Sequence, residues 1–182
     1  MPKPPPEPWL RGPLPGLVPQ VSNLFYTFVQ AREELDAALD GLTAEEIWSR
    51  PMGLAPVGFH VRHMGGATER LGAYLGGRQL TEQQLADMRA ESTPGAGAAE
   101  LMAELRGRQE ALEVEVRGID PARLDEVREV GRAKLPTTVI GLIVHIAEHS
   151  QRHLGQAITT AKLVRALREQ PRGGARVGPA GV

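Results

Sequence analysis

The chain of 182 residues contains no cysteine. Disulfide bonds, a thiolate zinc site and a cysteine nucleophile are therefore excluded, and any sulfur chemistry would need a thiol carried by a small molecule. The chain also has almost no net charge, because 21 basic residues balance 22 acidic ones and leave a formal charge of −1. Such a balance argues against a broad nucleic-acid-binding surface, so we expect no nucleic-acid partner.

Long apolar runs are missing as well, including at the start of the chain, where MPKPPPEPWLRGPLPG is rich in proline. A signal peptide or a membrane span would need an uninterrupted apolar stretch. We therefore expect neither of them, and no membrane partner. These observations together predict a soluble, cytoplasmic protein.

The apolar residues of the chain recur at helical spacing over most of its length. We predict an extended proline-rich arm over residues 1–15, one domain over 16–167 and a disordered tail over 168–182. Within the domain the pattern predicts four long helices, at about 18–42, 57–75, 98–117 and 137–167. Short helices are expected after Thr43 and Thr81, and residues 118–136 are expected to be irregular, with a short extended piece inside 127–135. Almost no strand signal is present, so the fold class is predicted to be all-α, a four-helix bundle.

All five histidines lie in two short windows, VGFHVRHMGGATER and GLIVHIAEHSQRHLGQ. Imidazole is the side chain that most often binds transition metals. The spacing of His145, His149 and His153 places successive side chains one turn apart along one side of a helix. A pair from this helix and one histidine from another helix would form a three-nitrogen site. Such a site leaves positions open for water or substrate, which is the usual arrangement of a catalytic metal.

Helical geometry orders the histidines of the last helix by their angle from the core. At about 100° per residue, Ile143 and Leu154 mark the buried direction; His153 lies about 80° from it, His149 about 120° and His145 about 160°. His153 and His149 therefore flank the buried stripe, where ligands facing a cleft would lie, and His145 is expected to be solvated. The alternative is a set of boundary histidines without a metal.

In the first window, periodicity does not distinguish between the two histidines. His60 lies near the middle of the apolar stripe and His63 at its edge, so a hydrogen-bonded core histidine and a surface histidine are both possible. Gly65 and Gly66 follow in mid-helix, where each costs about 1 kcal/mol relative to alanine. They either permit the close approach of a helix or a ligand, or are simply tolerated.

The segments GFHVRHMGGATERLGAYLGG and HIAEHSQRHLGQ resemble the two signature regions of the DinB/YfiT-like superfamily of bacterial metal-binding four-helix bundles. In that family an aromatic residue precedes a histidine by four positions in the second helix, and His-x-x-x-His is followed by Gly-Gln in the last helix. The matching residues are Phe59 and His63 in the first segment, and His149, His153, Gly155 and Gln156 in the second.

The resemblance, over residues 18–167, implies the family's topology, with a parallel neighbouring pair of helices as well as antiparallel pairs. It also implies a divalent transition metal, zinc or nickel, bound by His63, His149 and His153, with water at the remaining positions. Some branches carry a glutamate at the position of His149, whereas this sequence has the all-histidine set.

The two remaining histidines, His60 and His145, each lie one turn from a ligand that the resemblance implies. They are candidates to hydrogen-bond metal-bound water or a substrate, as groups behind metal ligands often do. Ordinary polar residues at the edge of a cleft are the alternative. Arg70, Tyr74 and Gln156 are the other candidate pocket residues, and no general base can be named.

Two classes of function remain open at this stage. The first is a metal-dependent enzyme acting on a small-molecule substrate: a transferase that uses a low-molecular-weight thiol such as bacillithiol or mycothiol, as some members of the superfamily do, or a hydrolase that uses metal-bound water. The second is a stress-induced metal-binding or self-associating bundle without turnover. A homodimer is plausible for this family, although no apolar patch in the sequence identifies an interface.

Overall fold

The computed structural model describes residues 5–170. Its four long helices are α1 (Pro19–Leu39), α3 (Val57–Leu75), α5 (Ala98–Arg117) and α6 (Val139–Glu169). Short helices α2 (Ala44–Trp48) and α4 (Glu82–Ala90) lie in the connections, and strands β1 (Val127–Val130) and β2 (Leu135–Thr138) form an antiparallel hairpin before α6. The predicted all-α class and four-helix bundle are confirmed.

The long helices form a ring in which each helix has one parallel and one antiparallel neighbour. Helices α1 and α6 run parallel, as do α3 and α5, whereas α3–α6 and α1–α5 are antiparallel. The contacts that fix these directions are Gln30–Gln151 and Ala38–Arg165 for α1–α6, Gly65–Leu105 and Gly72–Leu112 for α3–α5, His60–His153 and His63–His149 for α3–α6, and Arg32–Glu113 and Asp36–Arg106 for α1–α5.

Apolar side chains from all four long helices fill the centre of the bundle in two clusters. One is centred on residues such as Leu35, Met64 and Leu154, and the other on residues such as Phe28 and Ile143, all of them almost completely buried. Burial of this apolar surface is the main contribution to stability, at about 25 cal/mol per Å². Within residues 5–170, no helix has both the length and the apolar character that crossing a membrane requires.

The bounds of α3 and α5 coincide with the predicted ones, whereas the first and last long helices differ from prediction. Helix α1 ends at Leu39, because Asp40 is already extended and Gly41 takes a positive φ of 69°. Helix α6 starts two residues late, because Thr138 ends β2 and then caps the helix by accepting from the Gly141 N–H. The expected extended piece in 127–135 is one half of a hairpin that reaches residue 138.

Both ends of the described chain have defined structure. A 3-10 turn forms at Pro8–Leu10, and the Tyr26 hydroxyl donates to the carbonyl of Gly12. At the other end, residues 168 and 169 belong to α6 rather than to the tail expected from residue 168 onward. Residues 171–182 of the predicted tail and the first four residues of the predicted arm lie outside the described residues.

Candidate metal centre

The antiparallel contact between α3 and α6 brings histidines from both sequence windows together. His63 lies in the first half of α3, and His149 and His153 lie one turn apart on the face of α6 that packs against it. The Nε2 atoms of His63 and His149 are 3.1 Å apart, and the ring centroids of His63 and His149 lie 4.5 and 4.6 Å from that of His153. One ring nitrogen from each of the three lies within 4.8 Å of the other two.

This donor set fits a divalent transition metal. Two imidazole nitrogens about 2.0–2.1 Å from one zinc ion, at a tetrahedral angle, lie about 3.3 Å apart, close to the 3.1 Å between the Nε2 atoms of His63 and His149. Imidazole nitrogen suits zinc, nickel, iron and copper, so the donor type does not identify the metal. Within residues 5–170 these three histidines form the one group that could hold a metal ion, and three protein ligands leave a position open.

Burial and neighbouring charges keep the imidazoles of His149, His153 and His60 neutral at neutral pH. Burial, reinforced by the neighbouring charge of His63, lowers the pKa of His149 to about 4 and that of His153 to about 3. Burial and His63 also lower the pKa of His60. Metal binding requires the unprotonated ring, so protons compete little for His149 and His153 at neutral pH.

Phe59, the aromatic residue of the first signature, lies directly against the cluster. Its ring stacks on that of His63, with centroids 5.3 Å apart and an angle of 20° between the planes. Residues four apart on a helix lie on the same face, which explains the spacing of the two residues. Phe59 therefore covers one side of the His63 ring with apolar surface and limits the orientations that this imidazole can adopt.

His60 is a core histidine rather than a member of the three-histidine group. It is 6% exposed, and its Nδ1 lies 3.1 Å from Nδ1 of His153. Because this contact occupies Nδ1 of His153, Nε2 is the nitrogen that His153 would offer to a metal. His60 is thus a hydrogen-bonded core histidine, one of the two possibilities that periodicity left open, and its partner is a candidate ligand.

Glu91, which no sequence motif indicates, contacts the cluster at His63. The residue follows α4, and its Oε2 lies 2.6 Å from Nδ1 of His63. Arg70 donates to Oε1 of the same carboxylate, also at 2.6 Å. Burial by itself would raise the pKa of Glu91, but the hydrogen bonds from His63 and Arg70 outweigh this effect and hold the pKa below its usual range.

The adjacent glycines Gly65 and Gly66 of α3 have different surroundings. A Cβ on Gly66 would lie 2.4 Å from Oε1 of Glu91, so this glycine leaves space for the buried carboxylate. A Cβ on Gly65 would lie 3.4 Å from the Cα of Leu105, which is an ordinary van der Waals contact, so an alanine fits between α3 and α5 there. Of the readings left open, close approach therefore applies to Gly66, whereas Gly65 is simply tolerated.

The other candidate pocket residues are placed in different surroundings. Arg70 is buried and reaches the site through Glu91, whereas Tyr74 packs in the core cluster of Phe28 and Ile143, toward the opposite end of α3. His145 is exposed, as its angle predicted, and its ring centroid lies 5.7 Å from that of His149.

A cleft with a volume of about 520 Å³ runs along α6 beside His60, and none of the three candidate ligands is among the residues that line it. His60 forms part of its wall, and Gln156, Gly155 and Arg152 line it along α6. Gln156 is exposed there, and a Cβ on Gly155 would project into open space. The cleft has the size of a small-molecule pocket.

Comparison with known proteins identifies the family. A family model described as the DinB superfamily matches residues 27–157, well over half of the chain. Among solved structures, a conserved protein from Enterococcus faecalis is similar with a TM-score of 0.68 at 17% sequence identity, over 82% of this chain and 99% of that one. Identity at this level shows a shared fold alone, and no curated protein matches the chain. The resemblance carried by the two histidine-containing segments is therefore confirmed, and the chain belongs to the DinB superfamily.

Proposed function

We propose that this protein is a metal-dependent enzyme whose site is formed by His63, His149 and His153. The observation that carries the proposal is the convergence of these imidazoles from two helices, with one ring nitrogen of each within 4.8 Å of the others. The lowered pKa values of His149 and His153 support it, because both rings are ready to bind a metal at neutral pH. Zinc or nickel is the proposed metal.

The number of ligands favours a catalytic over a structural metal. Structural zinc sites are almost always closed by four protein ligands, whereas catalytic sites keep three and leave a position for water or substrate. Glu91, the nearest carboxylate, is engaged with His63 and Arg70. When bound, the metal would supply Lewis-acid chemistry, which activates a thiol or a water molecule as a nucleophile.

The proposed reaction is transfer of a low-molecular-weight thiol to an electrophilic small molecule. In this reaction the thiol sulfur forms a bond to carbon, and the thiol proton leaves with the displaced group. The chain has no cysteine, so the sulfur must come from a co-substrate. The cleft beside His60 offers about 520 Å³ for such molecules.

The test is a turnover assay on protein loaded with zinc or with nickel. Consumption of a panel of electrophiles is followed with and without a low-molecular-weight thiol, for the parent, His153→Ala and His145→Ala. The proposal predicts saturable, thiol-dependent turnover that is lost in His153→Ala. It should be retained in His145→Ala, because that exposed histidine lies outside the three-histidine group.

Two other results would lead to different conclusions. Turnover of esters or amides that is independent of thiol and requires His153 would assign hydrolysis to the same site. Stoichiometric metal without turnover of any substrate in the panel would contradict an enzyme and favour a metal-binding bundle.

A further inference from the structure

Each of the two oxygens of the Glu91 carboxylate accepts one hydrogen bond. It accepts from Nδ1 of His63 through Oε2 and from Nη1 of Arg70 through Oε1, each at 2.6 Å. His63 and Arg70 both belong to α3, whereas Glu91 lies at the end of α4. One carboxylate thus joins a candidate ligand of the metal to a buried guanidinium from the same helix.

This arrangement lies in the interior, where an ionised group is costly unless it is paired. Glu91 is 5% exposed and Arg70 is 8% exposed. Gly66 lies beside the carboxylate, and a Cβ there would be 2.4 Å from Oε1 and 2.8 Å from Nη1 of Arg70. The sequence therefore provides both the counter-charge and the space that a buried carboxylate needs at this place.

We propose that Glu91 is a positioning residue that holds His63 in the tautomer with the proton on Nδ1 and the lone pair of Nε2 directed at His149. Neutral imidazole in water favours the opposite tautomer, with the proton on Nε2. A carboxylate that accepts from Nδ1 reverses this preference and also fixes the rotation of the ring. Arg70 holds Glu91 in place. The inference rests on the metal site proposed above.

A carboxylate is required because both partners of Glu91 are hydrogen-bond donors. The amide of Gln has one acceptor oxygen and a donor group in place of the second oxygen, so Glu91→Gln cannot accept from both His63 and Arg70. The matched control is Glu113→Gln, since Glu113 also accepts from an arginine, Arg32, at the α1–α5 contact.

The experiment combines a tautomer measurement with a metal titration. Nitrogen-15 NMR on metal-free protein reports which ring nitrogen of His63 carries the proton, and cobalt(II) titration followed by visible absorption reports affinity. We expect the Nδ1–H tautomer in the parent and in Glu113→Gln. In Glu91→Gln the signals should shift toward the Nε2–H tautomer, and cobalt affinity should fall by about 10–100-fold.

The outcomes separate this inference from the proposed function. If the parent binds cobalt but its His63 carries the proton on Nε2, or if Glu91→Gln binds cobalt as tightly as Glu113→Gln does, the positioning role is overturned and the metal site stands. If the parent binds no cobalt, the metal site is refuted and the role of Glu91 is refuted with it. The tautomer of the parent decides the question even if Glu91→Gln does not fold.

Discussion

Nδ1 of His60 lies 3.1 Å from Nδ1 of His153, so one of the two rings donates a hydrogen bond and the other accepts it. If His153 binds a metal through Nε2, its Nδ1 carries the proton, and the buried His60 is the acceptor. One candidate ligand from each helix is then held from behind, His63 by Glu91 and His153 by His60.

Removing the acceptor on His60 is predicted to weaken metal binding. His60→Phe keeps a ring in the core but cannot accept from Nδ1 of His153, so cobalt affinity should fall by about 10-fold. His60→Asn places a carbonyl oxygen near the former Nδ1 and should recover much of the loss. The control is His145→Phe at the exposed histidine of α6. Equal affinity in His60→Phe and the parent would show that this contact does not orient His153.

Adjacent glycines provide a second matched pair of variants. Gly66→Ala places a Cβ 2.4 Å from Oε1 of Glu91 and should displace that carboxylate, which lowers cobalt affinity. In Gly65→Ala the new Cβ lies 3.3 Å from Cδ of Arg108, a flexible side chain, and affinity should match the parent. Alanine gains about 1 kcal/mol of helix propensity at both positions, so a difference in metal titration reports the local contact. Equal affinities would contradict the role assigned to Gly66.

The stability of the metal-free protein is predicted to decrease as pH falls below about 6.5. The pKa values of His149 and His153 are about 4 and 3 in the folded protein, below the value in the unfolded chain. Between the unfolded pKa and these folded pKa values, the unfolded state therefore binds more protons than the folded state does. The free energy of unfolding decreases as the pH is lowered through this window. Urea unfolding at about pH 7 and pH 5 measures the change.

His153→Gln tests this pH dependence, because glutamine titrates in neither state. Its free energy of unfolding should change less with pH than that of the parent. His145→Gln, with its exposed side chain, serves as the control. A pH dependence in His153→Gln equal to that of the parent would contradict the lowered pKa of His153.

A prediction for stability concerns the contact between α2 and α3 near the site. A Cβ on Gly58 would lie 2.7 Å from Cε2 of Trp48, whose Nε1 donates to the carbonyl of Ala96. Because this hydrogen bond keeps the indole ring from moving away from α3, Gly58→Ala should destabilise the protein by about 1–3 kcal/mol. Gly107→Ala in α5, where a Cβ meets open space, should instead stabilise it by about 1 kcal/mol. Urea denaturation measures both, and a stabilised Gly58→Ala would contradict the packing argument.

Local signals in the sequence account for most of the helix bounds. Helix α3 begins after Pro56 and ends before Gly76 and Gly77, and α5 begins after Gly97, so composition marks these ends directly. The beginning of α6 is different, because Thr137, where the helical pattern predicts the start, belongs to the strand β2. Pairing with the strand β1, a contact between segments, assigns it to the hairpin.

The residues of the site likewise differ in whether local sequence patterns or long-range contacts determine their position. The angles of His149 and His153 around α6 follow from helical periodicity, and the resemblance to the family distinguishes His63 from His60. Glu91 carries no such signal, because it is one of 22 acidic residues and lies 28 positions from the histidine that it binds. Its role depends on α4 folding back against α3, which periodicity does not specify.

The central claim, a metal held by three histidines, is tested most directly by the metal content of untagged protein purified without added metal. Plasma mass spectrometry should find zinc or nickel close to one equivalent per chain in the parent and in His145→Ala. It should find little in His63→Ala and His149→Ala, since each removes one of the three converging imidazoles. A parent that contains no metal and takes up neither zinc nor nickel when these are added would contradict the claim. The three residues would then be boundary histidines of a helical bundle.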